Sequence, residues 1–213
     1  MGVQAKICGI TTPEAVRAGL DGSAAYLGFM FFDRSPRNIA PDAAARLAAP
    51  VNGRAKVVAV VVDPGDAELD RIVAGLKPDL LQLHGKESPA RVREIVSRTG
   101  LGVVKVLPVA ESADIAAAAA YEPLVEHLMF ETKPAKDAER PGGLGVPFDW
   151  TMMSGRRFQR PWFLAGGLDA WNVGAAVAAS GAPVVDVSSG VERGPGLKDP
   201  ALITAFLDAV RRA

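Results

Sequence analysis

The chain has 213 residues, and its 24 Lys plus Arg balance 24 Asp plus Glu, so no global field points to nucleic acid or to a cationic partner. Its single cysteine excludes a disulfide-stapled scaffold, and no apolar run approaches the roughly 18 residues of a membrane span. The opening MGVQAKICGI lacks a signal peptide's apolar core, so a cytoplasmic protein is expected.

Short apolar runs alternate with helix-like segments along the whole chain. VQAKIC (3–8) reads as a strand, and TTPEAVRAGL (11–20) as a helix capped by Thr11 or Thr12 with Pro13 in its first turn. AAYLGFMF (24–31) is a second strand and PDAAARLAA (41–49) a second helix. KVVAVVVD (56–63) is a continuous valine run, the habit of a parallel strand buried on both faces. DAELDRIVAGL (66–76) is a helix, DLLQLHG (79–85) a strand, and SPARVREIVSRTG (88–100) a helix with proline near its start and glycine at its end. GVVKVLPV (102–109), ESADIAAAAA (111–120) and LVEHLMFE (124–131) predict strand, helix and strand. Residues 132–147 are too rich in Pro, Gly and charge to be regular, and PGG (141–143) offers hinge points there. FDWTMMSG (148–155) predicts a short helix. RPWFLAGG (160–167) and PVVDVSSG (183–190) predict strands around a helix at 169–180, and a last helix covers 199–212.

Eight strands, each followed by a helical segment with no linker between them, predict one α/β domain over residues 1–213, a closed (β/α)8 TIM barrel. The rival doubly wound sheet is weakened because no Gly-x-Gly-x-x-Gly follows the first strand.

A barrel of this kind carries its active site at the C-terminal ends of the strands. Side chains two apart share a strand face. Lys6 with Cys8, Gln82 with His84, His127 with Met129 and Glu131, and Asp186 with Ser188 therefore form polar sets aimed at the barrel axis. Their last members, Cys8, His84, Glu131 and Ser188, fall at the mouth. Polar groups are costly inside a barrel unless bonded or used. The plainer alternatives are core filling for Cys8, a strand cap for His84 and a rim charge for Glu131. Lys6 and Lys105 are expected to pair with Asp186 as structural glue. The seventh and eighth strands end in Gly166–Gly167 and in Ser188, Ser189 and Gly190. Backbone N–H groups in such turns cradle phosphate, and SGVE (189–192) is long enough for one turn of a phosphate-binding helix. A small phosphorylated substrate follows, with no metal site in view.

KICGIT (6–11), GFMFFDRSPRNI (28–39), LLQLHG (80–85), FETKP (130–134), FDW (148–150), LAGGL (164–168) and DVSSGVE (186–192) together resemble the phosphoribosylanthranilate isomerase family of tryptophan biosynthesis. The resemblance implies a cofactor-free barrel performing an Amadori rearrangement of N-(5-phosphoribosyl)anthranilate to 1-(2-carboxyphenylamino)-1-deoxyribulose 5-phosphate. It implies Cys8 as general base and Glu131 as general acid. The family pattern has aspartate at the latter position, so the carboxyl group here must fold back or sit displaced by one methylene. It further implies Arg37 against the anthranilate carboxylate, with Gly166, Gly167, Ser188, Ser189 and Gly190 on the phosphate. His84 joins the substrate-binding set.

Three other functions compete. A pentose-phosphate epimerase wants a metal held by paired histidines and carboxylates, but His84 and His127 lie on non-adjacent strands. Ring closure to indole-glycerol phosphate wants a lysine at the mouth, and Lys105 sits mid-strand. A catalytically weak barrel that only binds phosphorylated ligands is the third. With 6% aromatic residues and no evident apolar patch, a monomer is expected.

Overall fold

The computed structural model describes residues 2–133 and 147–213. Eight parallel strands close on themselves in the order β1 to β8. They are Gln4–Cys8, Tyr26–Phe31, Lys56–Val61, Leu80–Leu83, Gly102–Val109, His127–Thr132, Trp162–Leu164 and Val184–Val187. Closure is made by β1 against β8, with Lys6 opposite Asp186 and Ile7 opposite Val187. The predicted barrel is therefore the fold, with most strand ends trimmed by one to three residues.

The period-2 alternation divides the apolar residues into two clusters. Ile7, Leu27, Phe29, Leu81, Leu83, Phe130 and Val187 face outward into the layer beneath the helices. Val58, Val60, Val104, Val106, Met129 and Phe163 fill the axis together with Cys8. This filled interior is a packed core and not a pore. Lys6, Gln82, His127, Glu131 and Asp186 are buried polar members of the inner face.

The helices begin and end where local chemistry directs. Thr12 caps α1 (Pro13–Asp21) by accepting from the Ala15 N–H at 3.3 Å, with proline at the first helical position. Helices α2 (Pro41–Ala48) and α3 (Asp66–Leu76) follow β2 and β3. Ser88 caps α4 (Pro89–Thr99), and Gly100 ends it with φ +67°. Helix α6 (Val173–Ser180) follows β7, and α7 (Pro200–Arg211), capped by Asp199, closes the chain.

Three segments depart from expectation. Residues 111–120 do not form one helix: 3-10 turns at Ser112–Ala117 and Glu122–Leu124 flank a single α-turn, α5 (Ala118–Tyr121). Alanine favours helix intrinsically, but helices in proteins persist by packing an apolar face. Here only Ile115 and Ala118 are buried. Residues Trp150–Met153 make a 3-10 turn instead of a short α-helix. After β8, the 3-10 turn Ser189–Val191 takes the place of the expected helical turn, and it leads into an unpredicted hairpin, β9 (Glu192–Gly194) with β10 (Leu197–Lys198). The hinge read at 141–143 lies outside the described residues.

Lys105 does not join Asp186. Its neighbours Val104 and Val106 occupy the inner face, so Lys105 points outward. There it meets the Glu87 carboxylate at 2.6 Å and donates to the Gly85 carbonyl at 2.8 Å. Lys6 alone pairs with Asp186, at 2.7 Å.

Candidate active site

Strand β1 delivers Cys8 to the C-terminal end of the barrel, where it is a buried free thiol. The ammonium of Lys6 lies beside it. A Cβ placed on Gly28, the register partner of Cys8 on β2, would sit 3.1 Å from the Cys8 sulfur and 3.2 Å from Lys6 Nζ. The absent side chain of Gly28 is thus the gap that the two groups share. Burial raises the thiol pKa, and the positive charge of Lys6 opposes this without reversing it. The resting group is a thiol. Burial alone would lower the pKa of Lys6, but Asp186 keeps its ammonium charged.

Glycine at position 9 has a steric reason. Its φ is +77°, and a Cβ there would strike Arg37 Cδ. Arg37 lies across the turn that follows the thiol and is buried. Its Nε and Nη2 donate to the two carboxylate oxygens of Glu192 at 2.7 and 2.8 Å. Among the described residues no acceptor pairs with Nη1.

Strands β4 and β6 place His84 and Glu131 against each other, with Nε2 and Oε2 2.6 Å apart. The two atoms are in close contact without the alignment of a straight hydrogen bond. Glu131 therefore folds back onto His84, which answers where its extra methylene goes. Burial pulls the His84 pKa down, but the Glu131 charge overcomes it and leaves the imidazole raised. His84 Nδ1 faces Gln82 Nε2 at 3.4 Å. His127 sits deeper, edge-on to Phe163 and Tyr26 with ring centroids 5.3 and 6.1 Å away, and burial lowers its pKa.

The loops after β7 and β8 interlock. Gly166 and Gly167 have φ of +94° and +65°, a conformation that disfavours other residues. Gly166 backs onto Thr132, and a Cβ on Gly190 would overlap the Leu168 carbonyl. Asp169 accepts from the N–H groups of Trp171 and Asn172, while Asn172 Nδ2 donates to the Gly167 carbonyl at 2.8 Å. Ser188, Ser189 and Gly190 are half-buried beside these glycines. Ser188 Oγ donates to the Cys8 carbonyl at 3.2 Å, linking the loop to β1. Gln82 Oε1 and Thr132 Oγ1 are buried with no hydrogen-bond partner among the described residues.

The barrel thus gathers at one end the thiol, the His84–Glu131 pair, Arg37 and two glycine turns. Glu192 closes the stretch DVSSGVE (186–192) but receives no role from sequence, and Lys198 receives none; a signal for the pair is charge placed on both sides of a Pro-Gly turn, ERGPGLK (192–198).

Known proteins share this sequence and this barrel. A family model described as N-(5'-phosphoribosyl)anthranilate (PRA) isomerase matches residues 5–209. The chain is 62% identical over 210 residues to the N-(5'-phosphoribosyl)anthranilate isomerase of Caulobacter vibrioides, covering 98% of this chain and 96% of that protein. The phosphoribosyl anthranilate isomerase structure from Thermotoga maritima superposes with a TM-score of 0.88 at 31% identity, over 99% of this chain and 100% of that one. A second solved isomerase, in complex with reduced 1-(o-carboxyphenylamino)-1-deoxyribulose 5-phosphate, superposes with a TM-score of 0.85 at 30% identity, over 99% and 100% of the two chains. Agreement in sequence over nearly the whole length, and in barrel geometry, places the chain in the N-(5'-phosphoribosyl)anthranilate isomerase family.

Proposed function

We propose that the chain isomerises N-(5-phosphoribosyl)anthranilate to 1-(2-carboxyphenylamino)-1-deoxyribulose 5-phosphate, with Cys8 as general base and Glu131 as general acid. The observation that carries this reading is the Glu131 carboxyl group held 2.6 Å from His84 at the barrel end that also bears Cys8. Opening the ribose ring requires a proton on the ring oxygen as the anilinic nitrogen pushes in its lone pair. Glu131 supplies that proton, and His84 at hydrogen-bonding range reloads the carboxylate. The resulting iminium makes the C2 proton acidic. Cys8, as thiolate, removes it to give an enolamine, which tautomerises to the ketone.

The buried thiol is protonated at rest and releases its proton to solvent before it accepts the C2 proton, an ionisation that Lys6 and the positive iminium both favour. Arg37 offers Nη1 to the anthranilate carboxylate, since Glu192 holds the other edge of its fork. The turns at Gly166–Gly167 and Ser188–Gly190 receive the 5-phosphate through backbone N–H groups. Every residue in this reading comes from one barrel, and we infer a monomer working in the cytoplasm. Steady-state turnover of N-(5-phosphoribosyl)anthranilate by the wild type, Cys8→Ala and Glu131→Gln tests it. Substantial turnover in the wild type and loss in both variants is expected. Undiminished turnover in either variant removes that residue from its role.

A further inference from the structure

Behind Arg37 lies a buried ionic relay that the reaction steps above do not use. The Glu192 side chain is 4% exposed and accepts from three directions. Arg37 holds both of its oxygens, Lys198 Nζ approaches Oε1 at 2.5 Å, and the Gly196 N–H donates to Oε2 at 3.2 Å. Lys198 Nζ continues the chain by donating to the Ser188 carbonyl at 2.9 Å and to Ser188 Oγ at 3.2 Å. Two buried basic side chains thus meet at one buried carboxylate, between the two regions proposed to hold anionic groups.

Burying such a cluster is costly, and apolar residues of similar volume often stabilise a fold better. Its persistence calls for a purpose besides stability. The geometry supplies one. A free guanidinium on a flexible stem would sample many orientations, whereas bidentate pairing fixes the plane of Arg37 and directs its remaining edge. Lys198 does the same for the loop that carries Ser188.

We infer that Glu192 is a positioning residue that aims Arg37 at the substrate carboxylate. This rests on the reading of Arg37 given above. Burial would raise the Glu192 pKa, but Arg37 and Lys198 hold it down, so the carboxyl group stays ionised at neutral pH, whereas at Lys198 burial outweighs Glu192 and lowers the pKa.

The test compares N-(5-phosphoribosyl)anthranilate with N-(5-phosphoribosyl)aniline, which lacks the carboxylate. Wild type, Glu192→Gln, Glu192→Asp and Arg37→Met are assayed, with circular dichroism and thermal unfolding reporting the folded fraction. Glu192→Gln should raise KM for the anthranilate substrate about tenfold or more, roughly the value of one charge-assisted contact, while kcat changes far less. On the aniline substrate the same variant should lie near wild type, and Glu192→Asp should recover part of the loss. If Glu192→Gln, or Glu192→Asp where the Gln form does not fold, is impaired equally on both substrates, Glu192 is structural and the inference fails. If Arg37→Met is impaired equally on both, the carboxylate role of Arg37 fails instead.

Discussion

Shortening Glu131 to aspartate withdraws its carboxyl from His84 by about one carbon–carbon bond, ~1.5 Å. The contact now at 2.6 Å opens to roughly 4 Å. With an effective dielectric near 20, the attraction between the two charges weakens by about 2 kcal/mol. Both side chains are only 12% exposed, so solvent screens little of this. The His84 pKa, raised in the wild type, must fall in Glu131→Asp and fall further in Glu131→Gln, where burial, the largest influence, is opposed only by the more distant Asp186. Histidine ring NMR across pH on the three proteins measures this. Turnover should follow the proton: Glu131→Asp should stay within about tenfold of wild type, and Glu131→Gln should lose about a hundredfold or more. A raised folded-state pKa adds stability that is fully present below the unfolded value near 6.5 and lost as pH rises through the folded value. Glu131→Gln should therefore be destabilised more at pH 5.5 than at pH 9. An unshifted His84 in the wild type, or identical titrations in all three proteins, would refute the charge-pair argument.

Alkylation of Cys8 by iodoacetamide should be slow at neutral pH and accelerate as pH rises past the ordinary thiol range, because burial outweighs Lys6; a fast, pH-independent rate at pH 6 to 7 contradicts this. Gly9→Ala forces a side chain into φ +77° and against Arg37, so it should lower both thermal stability and turnover; a variant matching wild type on both counts shows that the turn yields. Lys105→Met should cost about 3–5 kcal/mol by stranding the buried Glu87 carboxylate, while kcat per folded molecule holds; a selective loss of kcat would place Lys105 in the chemistry.

How much could be read in advance varied with how local the determinant was. The pairs Lys6 with Cys8 and Gln82 with His84 were placed by strand periodicity alone, because a polar residue on one face and leucine or isoleucine on the other fix the parity. Lys105 was misplaced because GVVKVLPV carries valines on both sides of the lysine. Either parity buries an apolar set there, and only barrel register decides. The length of Glu131 raised a question that sequence could not answer, since its partner is 47 residues away on another strand. The hairpin at 192–198 has no strand signature in the sequence for a related reason. Its anchor is Arg37, 155 residues earlier, and no local pattern reports an ion pair of that span. The alanine run at 111–120 shows the reverse failure, where strong local propensity met too little apolar surface to pack.

Acid–base catalysis by two side chains, one at the end of β1 and one at the end of β6, stands or falls with the thiol. The steady-state rate of N-(5-phosphoribosyl)anthranilate turnover by Cys8→Ala, with its fold verified and its binding of a product analogue intact, is the most direct measurement. The account predicts a rate about a hundredfold or more below wild type. A rate near that of the wild type would mean that another group takes the C2 proton and that Cys8 is core filling.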